Sequence, residues 1–388
     1  MSYIFESPTR MYFGNKEEEN VGKYIASYGY KKILLVYGKS SAKKSGLYDR
    51  VIKSLNDNNI EYLELSGIGA NPTLEMANKG LDLIKGEDID LVLAMGGGSV
   101  IDASKSIANG YYYEGSPFDF NEWKAKPTKA LPVGVILTIP AAGSELSMSC
   151  VITDESRNMK RGFNSQTNRP LFVIESVDLI NGLPFNQYAY GIVDILAHSM
   201  ERYFSPSSDN EFSDYMALGL MESVVDAANI LLKDINNEEA KKTLILASSF
   251  SHNGLTSVCK NISMPVHQLE HELSGLYPSI AHGEGLAILF PYWMKETYRY
   301  DLKKFAKFGE VLFNIKGDDV LLNAEKAIEE YQKLLKKFNL PTSLKEVNVT
   351  YDSLEIMAQP FVARTIPGIK ALDVSLARTI FNRAWEGK

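Results

Sequence analysis

The sequence has few cysteines and no long apolar run. Only Cys150 and Cys259 occur among 388 residues, and they lack Cys-x-x-Cys spacing. Sparse cysteine is typical of reducing compartments, and two distant thiols exclude a metal cage built from thiolates. No apolar stretch reaches the roughly 18 residues that a membrane helix requires. The N-terminus has no basic region followed by an apolar run. We therefore expect a soluble, cytoplasmic protein without a signal peptide.

The sequence also lacks an excess of positive charge. Its 41 lysines and arginines are outnumbered by 48 aspartates and glutamates, and the pI is near 5.5. Nucleic acids and anionic membranes bind mainly to basic surfaces. The composition therefore argues against either as the main partner.

Short apolar runs alternate with helical patterns in the first half of the chain. Residues 32–37 form a continuous apolar run, the mark of a strand buried on both faces. Further strands are predicted at 60–65, 91–95 and 132–138, with helices at 46–58, 73–85 and 99–108. This alternation predicts right-handed βαβ units and a parallel, doubly wound sheet. Ligands of such sheets bind outside the carboxyl ends of the strands.

The second half reads as mostly helical. Only Pro206 interrupts the stretch between Phe185 and Cys259, and apolar residues recur with a 3.6-residue period. Helices are predicted at 212–232, 241–258, 319–338 and 373–384. The length allows two domains with separate cores. We expect an α/β domain over residues 1–180 and an all-α domain over residues 181–388.

Histidine is scarce, and four of the five histidines lie around one aspartate motif. Asp194 and His198 are four residues apart, so they project from one face of a helix, and the same holds for His267 and His271. His282 follows. Such pairs on facing helices supply a carboxylate and imidazoles to a divalent metal ion. The spacing alone leaves open whether His267 or His271 is the ligand.

Two loops in the first half are suited to a dinucleotide. Gly96, Gly97, Gly98 and Ser99 follow a predicted strand and open a helix, where backbone N–H groups and the helix terminus favour phosphate. Ser99 is expected to cap this helix or to donate to a phosphate.

The earlier loop contains Gly38, Lys39, Ser40 and Ser41 and no acidic residue. An acidic residue there would bind the ribose of NAD, whereas lysine and serine would bind a 2′-phosphate. The loop therefore favours NADP(H).

Several blocks of the chain resemble the iron-containing, group III alcohol dehydrogenases. Residues 96–105 are similar to the family's Gly-Gly-Gly-Ser-x-x-Asp-x-x-Lys block, and residues 138–145 to its threonine-rich loop. Residues 191–198 and 267–283 also match, in the expected order. Within the family, the chain resembles the NADPH-dependent butanol dehydrogenases most.

This resemblance implies an architecture shared with dehydroquinate synthase, in which a metal ion lies between a Rossmann-like domain and a helical domain. It implies four metal ligands, Asp194, His198, His267 and His282. His271 then matches a nearby non-ligand histidine and is a candidate for proton transfer. The implied cofactor site includes Gly96, Gly97, Ser99, Thr138 and Lys160, while Asp102 has a structural or cofactor-positioning role.

The implied reaction is the reversible reduction of a small aliphatic aldehyde, such as butanal, by NADPH. The metal polarises the carbonyl oxygen, and nitrogen and oxygen ligands suit Fe²⁺ or Zn²⁺ as well as Ni²⁺ or Co²⁺. The resemblance also implies a homodimer. One departure concerns spacing: His267 and His282 are fifteen residues apart, one more than in the family pattern.

Two other functions deserve comparison. His267-Gln-Leu-Glu270-His271 has the His-x-x-Glu-His order of some zinc peptidases, with Glu270 as general base. That function would leave the dinucleotide-like half without a role. A dehydroquinate synthase-like lyase would share the architecture, but the basic loop at 38–41 argues against it.

Overall fold

The computed structural model describes residues 3–206 and 211–387. The chain divides into two compact units. We call Glu6–Leu183 the sheet unit, and Pro184–Lys388 together with the N-terminal residues up to Phe5 the helical unit.

The sheet unit contains eight strands and seven α-helices among its described residues. The strands are β1 (Arg10–Phe13), β2 (Lys32–Gly38), β3 (Glu61–Ile68), β4 (Leu91–Gly96), β5 (Val133–Leu137), β6 (Ser149–Asp154), β7 (Met159–Asn164) and β8 (Phe172–Glu175). The helices are α1 (Val21–Ser27), α2 (Ser41–Lys44), α3 (Leu47–Asp57), α4 (Leu74–Leu83), α5 (Gly98–Gly110), α6 (Phe118–Asn121) and α7 (Val177–Ile180).

Six of these strands form a wholly parallel sheet in the order β1-β8-β5-β4-β2-β3. The chain leaves β2 for β3 on one side and returns to β4 on the other. The direction of winding therefore reverses between β2 and β4, and such a switch point opens a crevice at the carboxyl ends of the two strands. The predicted doubly wound parallel sheet is confirmed.

The apolar pattern of the sequence explains the layers. Ile33 and Leu35 of β2 are fully buried and pack in one cluster with Leu47, Val51 and Leu55 of α3. These three α3 residues recur at intervals of four, so they share one face of the helix. Sheet and helix thereby bury each other's apolar faces.

The structure adds strands that the sequence did not predict. β1 and β8 have four residues each and pair with one another at one side of the sheet. β6 and β7 form a separate antiparallel hairpin. Asn158 has a left-handed φ of 50° in the turn between them, a conformation that asparagine tolerates.

The helical unit contains nine α-helices among its described residues. They are α8 (Phe185–Tyr203), α9 (Phe212–Leu231), α10 (Glu238–His252), α11 (Pro265–Leu276), α12 (His282–Thr297), α13 (Leu302–Phe313), α14 (Val320–Lys337), α15 (Ser353–Ala358) and α16 (Val374–Glu386). The prediction of a mostly helical second half is confirmed. The helix predicted at 241–258 is wrong at its end, because Gly254 has a φ of 102° and helix α10 has already ended at His252.

Aromatic side chains form part of the helical unit's core. The ring of Phe204, just after α8, stacks on Phe305 of α13 with centroids 4.3 Å apart, and Trp293 of α12 lies 5.8 Å away. All three side chains are buried. They join the C-terminal end of α8 to α12 and α13. None of the described helices is both long and apolar enough to cross a bilayer.

Candidate metal and cofactor sites

Helix α8 presents a polar face inside the helical unit. Asp194, His198 and Glu201 lie on successive turns of this helix, and all are buried. The spacings of four and three residues place them on one side of the helix. Buried polar groups normally have partners, so these side chains require either groups on neighbouring helices or a bound cation.

Donor atoms from α8, α11 and α12 converge beside this face. Asp194, His267 and His282 each place one ligand atom within 4.8 Å of the others. The Nε2 atoms of His267 and His282 are both 3.7 Å from Oδ1 of Asp194. His198 adjoins the group: its Nδ1 is 3.3 Å from the same oxygen, and its ring stacks on His267 with centroids 4.5 Å apart.

These atoms fit a divalent metal ion. Oδ1 of Asp194, Nδ1 of His198 and Nε2 of His267 are buried and make no hydrogen bond with any residue in 3–206 or 211–387. Donors bound at about 2.0–2.2 Å to a tetrahedral ion lie about 3.3–3.6 Å from one another. The observed 3.3–3.7 Å separations are close to that spacing. One carboxylate with three imidazoles is also a chemically suitable set of ligands.

His282 reaches the group because α12 approaches its neighbours closely. It is the first residue of α12. A Cβ at Gly283 would lie 2.3 Å from the carbonyl oxygen of Tyr190 on α8, and one at Gly285 would lie 2.9 Å from Cγ of Glu270 on α11. Glycine at these positions permits both approaches. His282 thus lies within the group even though one more residue separates it from His267 than in the family pattern.

Carboxylates surround His267. Its Nδ1 contacts Oε2 of Glu201, and its Nε2 faces Asp194. Burial disfavours a charge on the ring, but the two carboxylates outweigh it and raise the pKa of His267 to about 9. Without a metal ion, a proton on His267 supplies the positive charge that these acids favour.

His198 has the opposite environment. Burial, together with the nearby His252, His267 and Arg202, lowers the pKa of His198 well below its ordinary value. Its imidazole is therefore neutral, as a metal ligand must be. Arg202 donates to the carbonyl of His198 at 2.8 Å and lies 3.0 Å from Nδ1 of His252.

His271 lies one turn beyond His267 on α11. It is buried, and its ring centroid is 6.0 Å from that of His282. Among the described residues, the convergent group contains His267 but neither His198 nor His271; of these two, His198 has its Nδ1 3.3 Å from Oδ1 of Asp194. The geometry thus separates two histidines that the sequence spacing could not distinguish.

The sequence did not reveal three residues around this group, Glu201, Arg202 and His252, and it suggested Glu270 only as the general base of a peptidase. Oε2 of Glu270 contacts Nδ1 of His282, and the His252 ring lies 4.1 Å from that of His198. Glu201 and Glu270 each follow a ligand histidine by three residues on the same helix. That i, i+3 spacing was the available signal, but glutamate is too common for the spacing alone to be informative.

The predicted cofactor loops meet at the carboxyl ends of three adjacent strands. Gly38 ends β2, Gly96 ends β4, and Thr138 follows β5. The N–H of Thr138 donates to the carbonyl of Gly96 at 3.1 Å. Lys39, Ser40 and Ser41 are exposed just beyond β2. These residues therefore lie at or beside the switch point of the sheet.

The glycine turn at 96–98 is closely packed. A Cβ would lie 3.2 Å from Ile139 at Gly97 and 3.1 Å from the Cβ of Ala142 at Gly98. Helix α5 begins at Gly98 with Gly97 as its N-cap. The prediction that Ser99 caps this helix is wrong, because Ser99 lies inside the first turn and its hydroxyl donates to the carbonyl of Ala70.

Lys160 and Asp102 occupy different environments. Lys160, on β7, is buried with its Nζ 3.3 Å from Oδ1 of Asn71, the residue after Ala70. Asp102 accepts from the hydroxyl of Ser144 at 2.6 Å and from the N–H of Val151 at 3.0 Å. These bonds fasten α5 to the segment before and within β6, so Asp102 has a structural role.

Family models match both halves of the chain. Residues 8–176 match the model described as iron-containing alcohol dehydrogenase, and residues 188–368 match the C-terminal model of the Fe-containing alcohol dehydrogenase family. The chain is also 36% identical to NADH-dependent butanol dehydrogenase A of Clostridium acetobutylicum, over 99% of this chain and 100% of that protein. The chain belongs to the iron-containing alcohol dehydrogenase family.

Other relatives agree with this membership. The NADPH-dependent aldehyde reductase YqhD of Escherichia coli is 28% identical over 91% of each chain. The crystal structure of NADH-dependent butanol dehydrogenase A from Thermotoga maritima matches with a TM-score of 0.95 and 33% identity, over 99% of this chain and 98% of that one. The protein is thus an oxidoreductase of the alcohol dehydrogenase type. These matches support neither the lyase nor the peptidase alternative.

Proposed function

We propose that the protein catalyses the reversible reduction of small aliphatic aldehydes to primary alcohols, using NADPH and one divalent metal ion. Asp194, His198, His267 and His282 are the proposed metal ligands. The observation that carries this proposal is the convergence of unpaired donor atoms on Asp194 in a member of this family.

The residues of the helical unit suit each part of this chemistry. When bound, a divalent ion with an open coordination position polarises a carbonyl oxygen and stabilises negative charge that develops there. His198 is kept neutral by burial, and Asp194 supplies negative charge to the ligand set. The set would accept Fe²⁺, Zn²⁺, Ni²⁺ or Co²⁺, so the identity of the bound ion depends on supply as much as on the site.

His271 is the proposed residue for proton transfer. It is buried near His282 without belonging to the convergent group. Imidazole is suited to donate and accept protons near neutral pH. His271 would therefore hold the proton that the product alcohol requires.

The sheet unit is the proposed cofactor-binding domain. Backbone N–H groups at the start of α5 would hold the dinucleotide phosphates, with Gly96, Gly97, Gly98, Ser99 and Thr138 around them. Lys160 would also bind the cofactor. Lys39, Ser40 and Ser41 support a preference for NADPH, since the loop at 38–41 offers a cation and hydroxyls and contains no acidic residue of its own. The names of the relatives include both NADH and NADPH.

Small straight-chain aldehydes are the proposed substrates because relatives of this chain are named as butanol dehydrogenases and an aldehyde reductase. The domain limits near residue 180, the cytoplasmic location and the homodimer stay predictions from the sequence.

The test is reconstitution of activity. Metal-free protein would receive one equivalent of Fe²⁺, Zn²⁺, Co²⁺ or Ni²⁺ without oxygen, and oxidation of NADPH and NADH would be followed with aldehydes from ethanal to hexanal. We expect aldehyde-dependent NADPH oxidation only after metal addition. Equal turnover in metal-free protein, or none with any metal and aldehyde, would refute the proposal.

A further inference from the structure

Two of the proposed ligand histidines have a buried glutamate against the ring nitrogen that points away from Asp194. His267 turns Nε2 toward Asp194 and places Nδ1 against Glu201. His282 likewise turns Nε2 toward Asp194, and its Nδ1 contacts Oε2 of Glu270 without hydrogen-bond geometry, unlike the hydrogen bond between His267 and Glu201. The side chains of both glutamates are fully buried. Neither glutamate is one of the proposed metal ligands or the proposed proton-transfer residue.

The two contacts link three helices one to the next, α8 to α11 and α11 to α12. Glu201 on α8 contacts His267 on α11, and Glu270 on α11 contacts His282 on α12. The second oxygen of Glu201 accepts the backbone N–H of Val266, next to the histidine that it contacts. The position of Glu201 is thus fixed relative to His267.

An ionised carboxylate can only accept hydrogen bonds. Beside Nδ1, it favours the tautomer in which Nδ1 carries the proton, and this leaves the lone pair on Nε2 available for a metal ion. The negative charge also makes the imidazole a stronger electron donor. Burying two carboxylates is costly unless positive charge compensates them, and a bound cation supplies that charge.

We propose that Glu201 and Glu270 are positioning residues that fix the Nδ1–H tautomers of His267 and His282 and thereby strengthen binding of the divalent ion. This inference rests on the proposed function, because it concerns the same metal ligands. It predicts an effect on metal affinity that can be measured without any turnover.

Glutamine substitution separates this role from packing. Glu201→Gln and Glu270→Gln keep the side-chain shape, but an amide both donates and accepts, so it permits either histidine tautomer. We expect each variant to bind Zn²⁺ about 10- to 100-fold more weakly, the usual effect of removing such a partner.

Glu272→Gln is the matched control. Glu272 is also buried on α11, but its carboxylate accepts from Arg364 at 2.5 Å. Zn²⁺ affinity would be measured by competition with a chromophoric chelator, with circular dichroism as the check on folding. The control should bind Zn²⁺ as tightly as the unsubstituted protein.

A second measurement does not depend on the variants. The protein has only five histidines, so ¹⁵N-histidine labelling gives a simple spectrum of the zinc-loaded protein. We expect His267 and His282 to carry their proton on Nδ1. Protonation on Nε2, or glutamine variants with unchanged Zn²⁺ affinity, would overturn the inference alone. Failure of the unsubstituted protein to bind Zn²⁺ would instead refute the proposed function.

Discussion

The ammonium group of Lys105 is fully buried in the sheet unit. Its Nζ lies within 3.2 Å of four oxygen atoms: Ser144 O and Oγ, Ser147 O and Ser149 O. Asp102 is 3.9 Å away. Burial lowers the pKa of Lys105, and Asp102 opposes that effect. Lys105 thus organises the segment that leads into β6.

We predict that Lys105→Met destabilises the sheet unit by roughly 3–5 kcal/mol, because it leaves several carbonyl groups and the partly buried Asp102 without their cation. Urea unfolding would measure the change. Lys79→Met is the control, since Lys79 forms an exposed pair with Glu75 and should change stability by less than about 0.5 kcal/mol. Equal effects of the two substitutions would contradict this role.

Lys39 is the residue that the proposed cofactor preference depends on most. We predict that Lys39→Ala lowers kcat/KM for NADPH by roughly tenfold and leaves kcat/KM for NADH nearly unchanged, because only NADPH has a 2′-phosphate to pair with a cation. Lys44→Ala is the control, as Lys44 is also exposed near this loop. A similar loss with both cofactors would show that Lys39 does not recognise the 2′-phosphate.

At the level of single residues, the metal site could be predicted because histidine is scarce in this chain. An aspartate and three histidines in pairs at helical spacing, followed by His282, predicted the site from the sequence alone. Glu201 and Glu270 could not be found in this way, because their partners lie on other helices. The capping role of Ser99 was predicted wrongly because the helix begins earlier, at Gly98.

At the scale of elements, helix α12 positions His282 through close contact with α8. A Cβ at Gly283 would lie 2.3 Å from the backbone oxygen of Tyr190, so Gly283→Ala must push the two helices apart. We predict a loss of about 1–3 kcal/mol in stability and weaker Zn²⁺ binding, because His282 precedes Gly283.

Gly219→Ala is the matched control for this substitution. Gly219 is exposed within α9, and an added Cβ would meet no atom within 4 Å. Alanine there should raise stability by up to about 1 kcal/mol through its helix propensity and leave Zn²⁺ affinity unchanged. Thermal unfolding and chelator competition measure both quantities. Normal Zn²⁺ affinity in Gly283→Ala would show that the close approach does not position His282.

Elements with a strong periodic pattern were predictable, and short ones were not. The buried run at β2 and the long amphipathic helices α9 and α14 lie within a residue or two of their predicted bounds. β1 and β8 have only four residues each and depend on pairing with each other, which no local pattern encodes.

On the scale of the whole molecule, the chain combines a wound sheet with a bundle that contains the convergent ligands. The sequence predicted this fold class because short apolar runs alternate with helical patterns in the first half, whereas apolar residues recur every 3.6 residues in the second half. The sequence could not predict the order of the strands, since pairing depends on contacts between distant residues. Nor could it predict which of His267 and His271 approaches Asp194, since both lie on α11.

The most direct test compares metal content and turnover of the unsubstituted protein with those of His198→Ala. After anaerobic loading and removal of excess ion, we predict about one Zn²⁺ per chain and butanal reduction by NADPH in the unsubstituted protein. His198→Ala should keep its circular dichroism spectrum but lose both metal and turnover. Full metal content and normal turnover in His198→Ala would contradict the account.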